Sequence, residues 1–141
     1  MEVTESLLSR IRVGNLRVSR AEFGVLWAAA EQRATKEAVR GVTDWYAGGV
    51  VVTCRWLAGA VVTDRSGRRE MPRTPATWRT AAAFEEMIEA EYLAAERLDL
   101  TRPDLVEHRP GWCEGIRATL RWAWRHAGPP PLAVAPAHVA G

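Results

Sequence analysis

The segment spanning about residues 44–62 constrains the fold most, because it is apolar almost throughout and holds one internal charge, Arg55. It is longer than a typical strand, and Thr43 or Asp44 supplies an N-cap immediately before the apolar residues begin. We therefore expect a buried helix that is apolar on all sides. The β-branched residues 50–53 favour a strand locally, so a pair of short buried strands is the alternative.

A membrane span is another structure that such a segment can form. Spans need roughly 20 mostly apolar residues, and an arginine at the centre costs about 2.5–3.5 kcal/mol. Gly48, Gly49 and Gly59 lower the apolar content further. We therefore expect no span and no membrane partner. Gly48 and Gly49 would instead let a second helix approach closely.

Two charged residues are expected on apolar faces. Residues 77–98 predict a Glu-rich helix, and at 100° per residue Glu91 projects between Phe84 and Leu98, inside the apolar arc. Our hypothesis joins Glu91 to Arg55 as a buried polar pair that fixes the helix register. Two alternatives remain: Arg55 reaches water at the helix edge, or both side chains line a buried pocket of an enzyme.

The last predicted helix, residues 112–127, carries an aromatic residue outside its core arc. That residue is Trp122, and a basic ridge with i, i+4 spacing runs along the same helix, formed by Arg117, Arg121 and Arg125. A tryptophan near an arginine ridge predicts a surface that binds a partner. The alternative is that the N-terminal segment covers Trp122 while the arginines pair with the Glu-rich helix.

The first part of the chain predicts one clear helix. Ser19 and Glu22 form a capping box that opens a helix ending near Ala38. Its distal half, residues 31–40, is polar and is expected to face solvent. Residues 11–18 predict either the end of a short helix or a tight hairpin, since both patterns fit the sequence.

A Pro- and Arg-rich connector is expected over residues 64–79. Its basic loop residues are Arg65, Arg68, Arg69 and Arg73. They could hold phosphate or an acidic partner. A solvated connector is the simpler interpretation, because no aromatic residues interleave with the basic ones in a periodic way.

The sequence carries no recognisable catalytic chemistry. It has no glycine-rich phosphate loop and no metal-ligand spacing among its Cys and His residues, so we assign no catalytic residue, no metal and no cofactor. The net charge of +2 does not by itself imply nucleic acid. Cys54 and Cys113 are expected to be reduced and buried, and the N-terminus shows no signal peptide, which predicts a cytoplasmic protein.

These patterns predict an all-α fold, a compact bundle of four to five helices around the central apolar helix. We expect a single domain over residues 1–127 and a disordered Pro/Ala-rich tail over residues 128–141. The favoured function is a small interaction protein, meaning an adaptor, an accessory subunit or a homo-oligomer, that uses the last helix. A nucleic-acid-binding regulator that uses the arginines is the alternative, and an enzyme is the third.

Overall fold

The computed structural model describes residues 1–134, which form seven α-helices, one 3-10 turn and a two-stranded antiparallel sheet. The α-helices are α1 (Glu5–Ser9), α2 (Arg20–Val39), α3 (Trp45–Ala58), α4 (Glu85–Glu96), α5 (Leu98–Thr101), α6 (Pro103–His108) and α7 (Trp112–Ala123). The strands are β1 (Val62–Thr63) and β2 (Arg69–Glu70), with Val62 opposite Glu70. The expected all-α class is therefore confirmed as a mostly helical fold.

The central apolar segment is the helix α3. Asp44 caps it by accepting the amide of Ala47 at 3.0 Å, and Gly59 ends it with a left-handed φ of 62°. The strand alternative for this segment is wrong. The β-branched run stays helical because α3 packs against both α7 and α2, so its side chains are buried on several sides.

Glycine lets α3 and α7 cross at close range. A Cβ placed on Gly49 would overlap the carbonyl oxygen of Trp112, and a Cβ on Gly115 would overlap the carbonyl oxygen of Tyr46. The two backbones therefore touch at their crossing, as the paired glycines of the central segment predict. Gly48 is less restricted, because a Cβ there would meet only the ring of Trp112.

The N-terminal segment contains no hairpin. Helix α1 is followed by a 3-10 turn at Val13–Asn15, so the hairpin alternative for residues 11–18 is wrong. The side-chain amide of Asn15 donates to the carbonyls of Leu57 and Ala83, at 3.2 and 2.9 Å. This side chain ties the turn to the end of α3 and to the segment before α4.

Ser19 caps α2 as expected, since its Oγ accepts the amide of Glu22 at 3.0 Å, and the Glu22 carboxylate accepts the Ser19 hydroxyl at 3.2 Å. The Glu-rich helix begins at Glu85, later than expected. Residues 74–79 form a loop closed by hydrogen bonds between Thr74 and residues 78 and 79 instead of the first turns of this helix. The connector after it contains the short helices α5 and α6. Across residues 1–134, no helix combines the length and the apolar character needed to cross a membrane.

The expected disordered tail, residues 128–141, is wrong in its first part. Pro131 and Leu132 are buried, and the hydroxyl of Tyr46 donates to the carbonyl of Pro131 at 2.7 Å. The chain after α7 therefore packs back on α3. The rest of the expected tail, residues 135–141, lies outside the described residues.

Candidate functional site

Trp122 does not lie on the surface. Its side chain is 5% exposed and stacks on Phe23 of α2, with ring centroids 6.4 Å apart and planes 11° from parallel. The expected partner-binding tryptophan on α7 is therefore wrong. The N-terminal part of α2 covers this side of α7, so its apolar face is wider than the single arc that the sequence indicates.

The arginine ridge of α7 is occupied within the protein. Its three ion pairs are Arg117 with Asp99, Arg121 with Glu96, and Arg125 with Glu89. The hydrogen bond from Arg121 lowers the pKa of Glu96 below its ordinary value. Surface ion pairs contribute about 0–1 kcal/mol each. The ridge thus pairs with α4 and α5, as the alternative interpretation held, and presents no unpaired basic surface.

Arg55 and Glu91 do not pair, so the hypothesis of a buried Arg55–Glu91 pair is wrong. Arg55 donates from Nε and Nη2 to the two carboxylate oxygens of Glu31, each at 2.7 Å, and Trp27 Nε1 donates to the same carboxylate at 3.0 Å. The pocket that an Arg55–Glu91 enzyme would need is not formed by these two side chains.

Glu31 is the partner that the sequence interpretation missed. Its position in the polar distal half of α2 predicts exposure to solvent, yet it is buried. A signal was present, because Phe23, Trp27 and Glu31 follow at i, i+4 and i+8 on one helix face. Burial raises the pKa of Glu31, but the hydrogen bonds and charge of Arg55, with the Trp27 indole, outweigh it and hold this pKa below its ordinary value.

Glu91 has a different role, since it holds a loop. Its side chain is 1% exposed, and Oε1 accepts the amides of Ala76 at 2.7 Å and Thr77 at 3.1 Å, while Oε2 accepts the Thr77 hydroxyl at 2.7 Å. A buried carboxylate is tolerated where several donors satisfy it. Glu91 therefore holds the loop of residues 74–79 in place from its buried side, through Ala76 and Thr77.

This loop displays Trp78 on the surface. Trp78 has a left-handed φ of 56° and is 50% exposed. Its amide donates to the Thr74 carbonyl at 2.9 Å, and the amide of Arg79 donates to the Thr74 hydroxyl at 2.7 Å. A non-glycine residue with positive φ is strained and persists only where its surroundings determine it, and such residues cluster at functional positions.

Two cavities adjoin Met71 and Pro72, one on each side. The larger, about 330 Å³, is lined by Arg10, Arg12 and Phe84, with Trp56 among its walls. The smaller, about 160 Å³, is lined by Arg55, Arg73, Trp78 and neighbouring residues. We call this surface, made of the two cavities and the Met71–Pro72 ridge between them, the Met71 groove.

Large apolar side chains stand exposed along the Met71 groove. Met71 is 51% exposed and Phe84 is 45% exposed, and the Arg12 guanidinium lies 4.4 Å from the centre of the Phe84 ring. Together with Trp78 they give three large apolar side chains on one surface. Clusters of this kind mark interaction sites more often than isolated exposed residues do.

The basic loop folds as a short ribbon formed by β1 and β2. Arg65, Arg68 and Arg69 are exposed on it, whereas Arg73 lies in the smaller cavity and donates to the carbonyl of Trp78 at 3.3 Å. The Asp64 carboxylate accepts the amides of residues 66 and 68, each at 2.9 Å, which closes the turn. The sequence predicts a connector here, whereas Arg69 lies in the strand β2, and the aromatic residue beside the arginines is not among the predicted site residues.

Reactive and metal-binding groups are scarce in the part of the chain that the structure describes. Residues 1–134 contain no cluster of three or more His, Cys, Asp or Glu side chains arranged to hold a metal ion. Cys54 and Cys113 are unpaired and buried, and burial raises the pKa of both thiols. A thiol with a raised pKa stays protonated near neutral pH and is a poor nucleophile.

Comparison of the chain with protein-family models, with curated proteins and with solved structures gave no match. The Met71 groove is the candidate binding surface of the described residues. This groove combines concave shape, exposed aromatic side chains and unpaired arginines, and α7 has none of these features on its paired ridge.

Proposed function

We propose that this protein is a small interaction protein that binds a segment of a protein partner in the Met71 groove. The observation that carries the proposal is Trp78, a half-exposed aromatic residue whose loop is held by buried Glu91. An aromatic side chain fixed in advance loses little conformational entropy on binding, and such residues dominate interface energies. The expected interaction class is kept, while its site moves from Trp122 to Trp78.

The shape of the groove supports a side-chain-sized occupant. The larger cavity is at the low end of the range for ligand sites, about 300–1,000 Å³, with a volume of about 330 Å³. The Nε1 of Trp56 donates to the Ala81 carbonyl at 2.7 Å, so this wall needs no polar partner. An apolar side chain of a partner would bury against Met71 and Phe84, the exposed apolar residues of this cavity.

The site belongs to one helical domain organised around α3, and we assign the protein to the cytoplasm. Cys54 and Cys113, the cysteines of the described residues, carry no disulfide. Unpaired cysteines are typical of reducing compartments. An adaptor or an accessory subunit fits this arrangement. In a homo-oligomer, the groove would bind a segment of a second copy of the chain.

The test is a selection from a displayed peptide library. Peptides selected on the wild-type protein should bind Trp78→Ala at least tenfold more weakly, because truncation removes the anchor. Leu93→Ala is the matched control, since Leu93 is exposed on α4 and does not line either cavity. Equal binding to the Trp78→Ala protein would refute the proposal. Sedimentation of the wild type and of Trp78→Ala shows whether a second copy binds through the groove, since self-association there should be lost in the variant.

Nucleic acid is the second candidate, and one observation favours it. Arg65, Arg68 and Arg69 project from the ribbon of β1 and β2 and form no ion pair with a residue of the described chain. Three phosphate contacts would give a binding constant that falls with roughly the 2.7th power of salt concentration on duplex DNA. Absence of retention on duplex DNA at low salt would remove this candidate.

A further inference from the structure

We infer that the partner segment is acidic, presenting a carboxylate to Arg10 and Arg12 beside an apolar side chain that enters the larger cavity. The inference rests on the proposed function and names the chemistry of its partner. The residues around the Met71 groove are charged, and the groove itself is largely apolar.

Arg10 and Arg12 are the charged residues that line the larger cavity. Neither guanidinium forms an ion pair with a carboxylate of residues 1–134, although eight ion pairs occur in that part of the chain. Arg55, which lines the smaller cavity, is by contrast paired with Glu31. The two cavity arginines are thus available to a carboxylate from outside.

The surrounding segment has an excess of positive charge. Residues 61–84 contain five arginines against two acids, Asp64 and Glu70, so this segment alone exceeds the +2 of the whole chain. The Asp64 carboxylate already accepts three hydrogen bonds within its turn. A cavity lined by two unpaired arginines, next to a basic segment, favours an anionic ligand and accelerates its association.

The apolar walls indicate that the anion is attached to an apolar group. Trp56, Leu57 and Ala58 are buried at the end of α3 and line the larger cavity, and Phe84 and Met71 stand at its edge. Arg10 and Arg12 are exposed, and a hydrogen bond from a guanidinium to a carboxylate is stronger than one between neutral groups. A peptide with alternating acidic and apolar residues matches both parts of the site.

A nucleic acid fits this surface less well than an acidic peptide. Glu85 and Glu86 line the adjoining surface on the other side of Phe84. A phosphate backbone that continued from Arg12 across Phe84 would meet these two carboxylates. A peptide can place one acidic residue at Arg12 without continuing as an anion past Phe84. It can also place a basic residue near Glu85.

The experiment measures fluorescence anisotropy of labelled 12-residue peptides. The main probe alternates Glu with Leu and Phe; one comparison peptide replaces Glu with Lys, and another replaces the apolar residues with Ser. The Glu peptide should bind the full chain at least tenfold more tightly than either comparison peptide. Equal affinity for the Lys peptide would overturn the inference, as would absence of binding by the Glu peptide. Stronger binding of a single-stranded oligonucleotide would also overturn it.

Variants of the protein locate the contact. Arg10→Glu should weaken the Glu peptide about tenfold and leaves the contact between Arg12 and Phe84 intact. Arg40→Glu, an equal charge change at an exposed position after α2, should have less than a twofold effect. Ala82→Trp should block the larger cavity, whereas Ala38→Trp at the exposed end of α2 should not.

The outcomes separate this inference from the proposed function. If selected peptides depend on Trp78 but bind without acidic residues and without Arg10, the proposed function holds and the acidic partner is wrong. If the Glu peptide depends on Arg10 but not on Trp78, the acidic partner holds and the anchor assigned to Trp78 is wrong. Each variant is first unfolded in denaturant. A midpoint equal to that of the wild type shows that loss of binding does not come from loss of the fold.

Discussion

Backbone strain at Trp78 predicts that the glycine variant of this residue is more stable than the alanine variant. This is the reverse of the usual order. We compare Trp78→Gly with Trp78→Ala, because both remove the indole and differ only in the freedom of the backbone. In ordinary loops and helices glycine is less stable than alanine by roughly 0.5–1 kcal/mol, owing to its larger entropy in the unfolded chain. At Trp78 the φ is 56°, a conformation that costs an alanine about 1–2 kcal/mol and costs glycine almost nothing.

The two effects give the expected magnitude. Relief of strain exceeds the entropic penalty, so Trp78→Gly should be more stable than Trp78→Ala by about 0.5–1 kcal/mol. The loop cannot escape to negative φ without cost, because hydrogen bonds on both sides hold it, from Trp78 N to Thr74 O and from Arg79 N to Thr74 Oγ1. Both variants should lose peptide binding, since each lacks the indole.

The assay is urea unfolding of the two variants, followed by intrinsic fluorescence of the remaining tryptophans and by circular dichroism. Ala82 supplies the matched control, because it lies in the same connecting segment without a left-handed φ. Ala82→Gly should lower the free energy of unfolding relative to the wild type. If Trp78→Gly were less stable than Trp78→Ala by the roughly 0.5–1 kcal/mol usual for glycine, backbone strain at Trp78 would be refuted.

Three further predictions concern the structure that holds the groove. Gly49→Ala should lower the free energy of unfolding by about 1–3 kcal/mol through overpacking against α7, while Gly48→Ala should change it by less than about 1 kcal/mol; equal effects in urea titrations would contradict the close helix crossing. The lowered pKa of Glu31 means that its contribution to stability is full above its ordinary pKa of 4.5 and is lost as pH falls through the lower folded pKa. Unfolding of Glu31→Gln should therefore depend less on pH in the acid range, and an unchanged slope would rule out this role. In double-mutant cycles, Arg55 and Glu31 should couple by about 0.5–3 kcal/mol and Arg55 and Glu91 by less than about 0.5 kcal/mol; the reverse order would restore the pairing inferred from sequence.

Local patterns allowed a good part of the fold to be predicted. The capping box at Ser19 and Glu22 located the start of α2, and the apolar length of residues 44–62 located α3 despite its β-branched run. These features act within one or two helical turns, so they can be read from neighbouring residues. Boundaries were less accurate where hydrogen bonds from distant residues decide the conformation, as at residues 77–84, which do not join α4.

The candidate site depended on partners far apart in the chain. Glu91 was correctly placed on an apolar face, but its donors lie in a loop 14 and 15 residues away, and no sequence pattern distinguishes them from Arg55. Trp122 is covered by Phe23, about a hundred positions earlier in the sequence. Trp78 cannot be identified from the sequence, because exposure and a positive φ are properties of the folded loop and its neighbouring residues give no signal for either.

Peptide binding observed residue by residue tests the Met71 groove most directly. Uniformly ¹⁵N-labelled protein would be titrated with the Glu-containing peptide while amide and indole resonances are followed. We predict shifts of the Trp78 indole and of the amides of Met71 and of residues 81–84, with the Trp122 indole unchanged because it is stacked on Phe23. Shifts confined to the outer face of α7, with the Trp78 indole unmoved, would contradict the account.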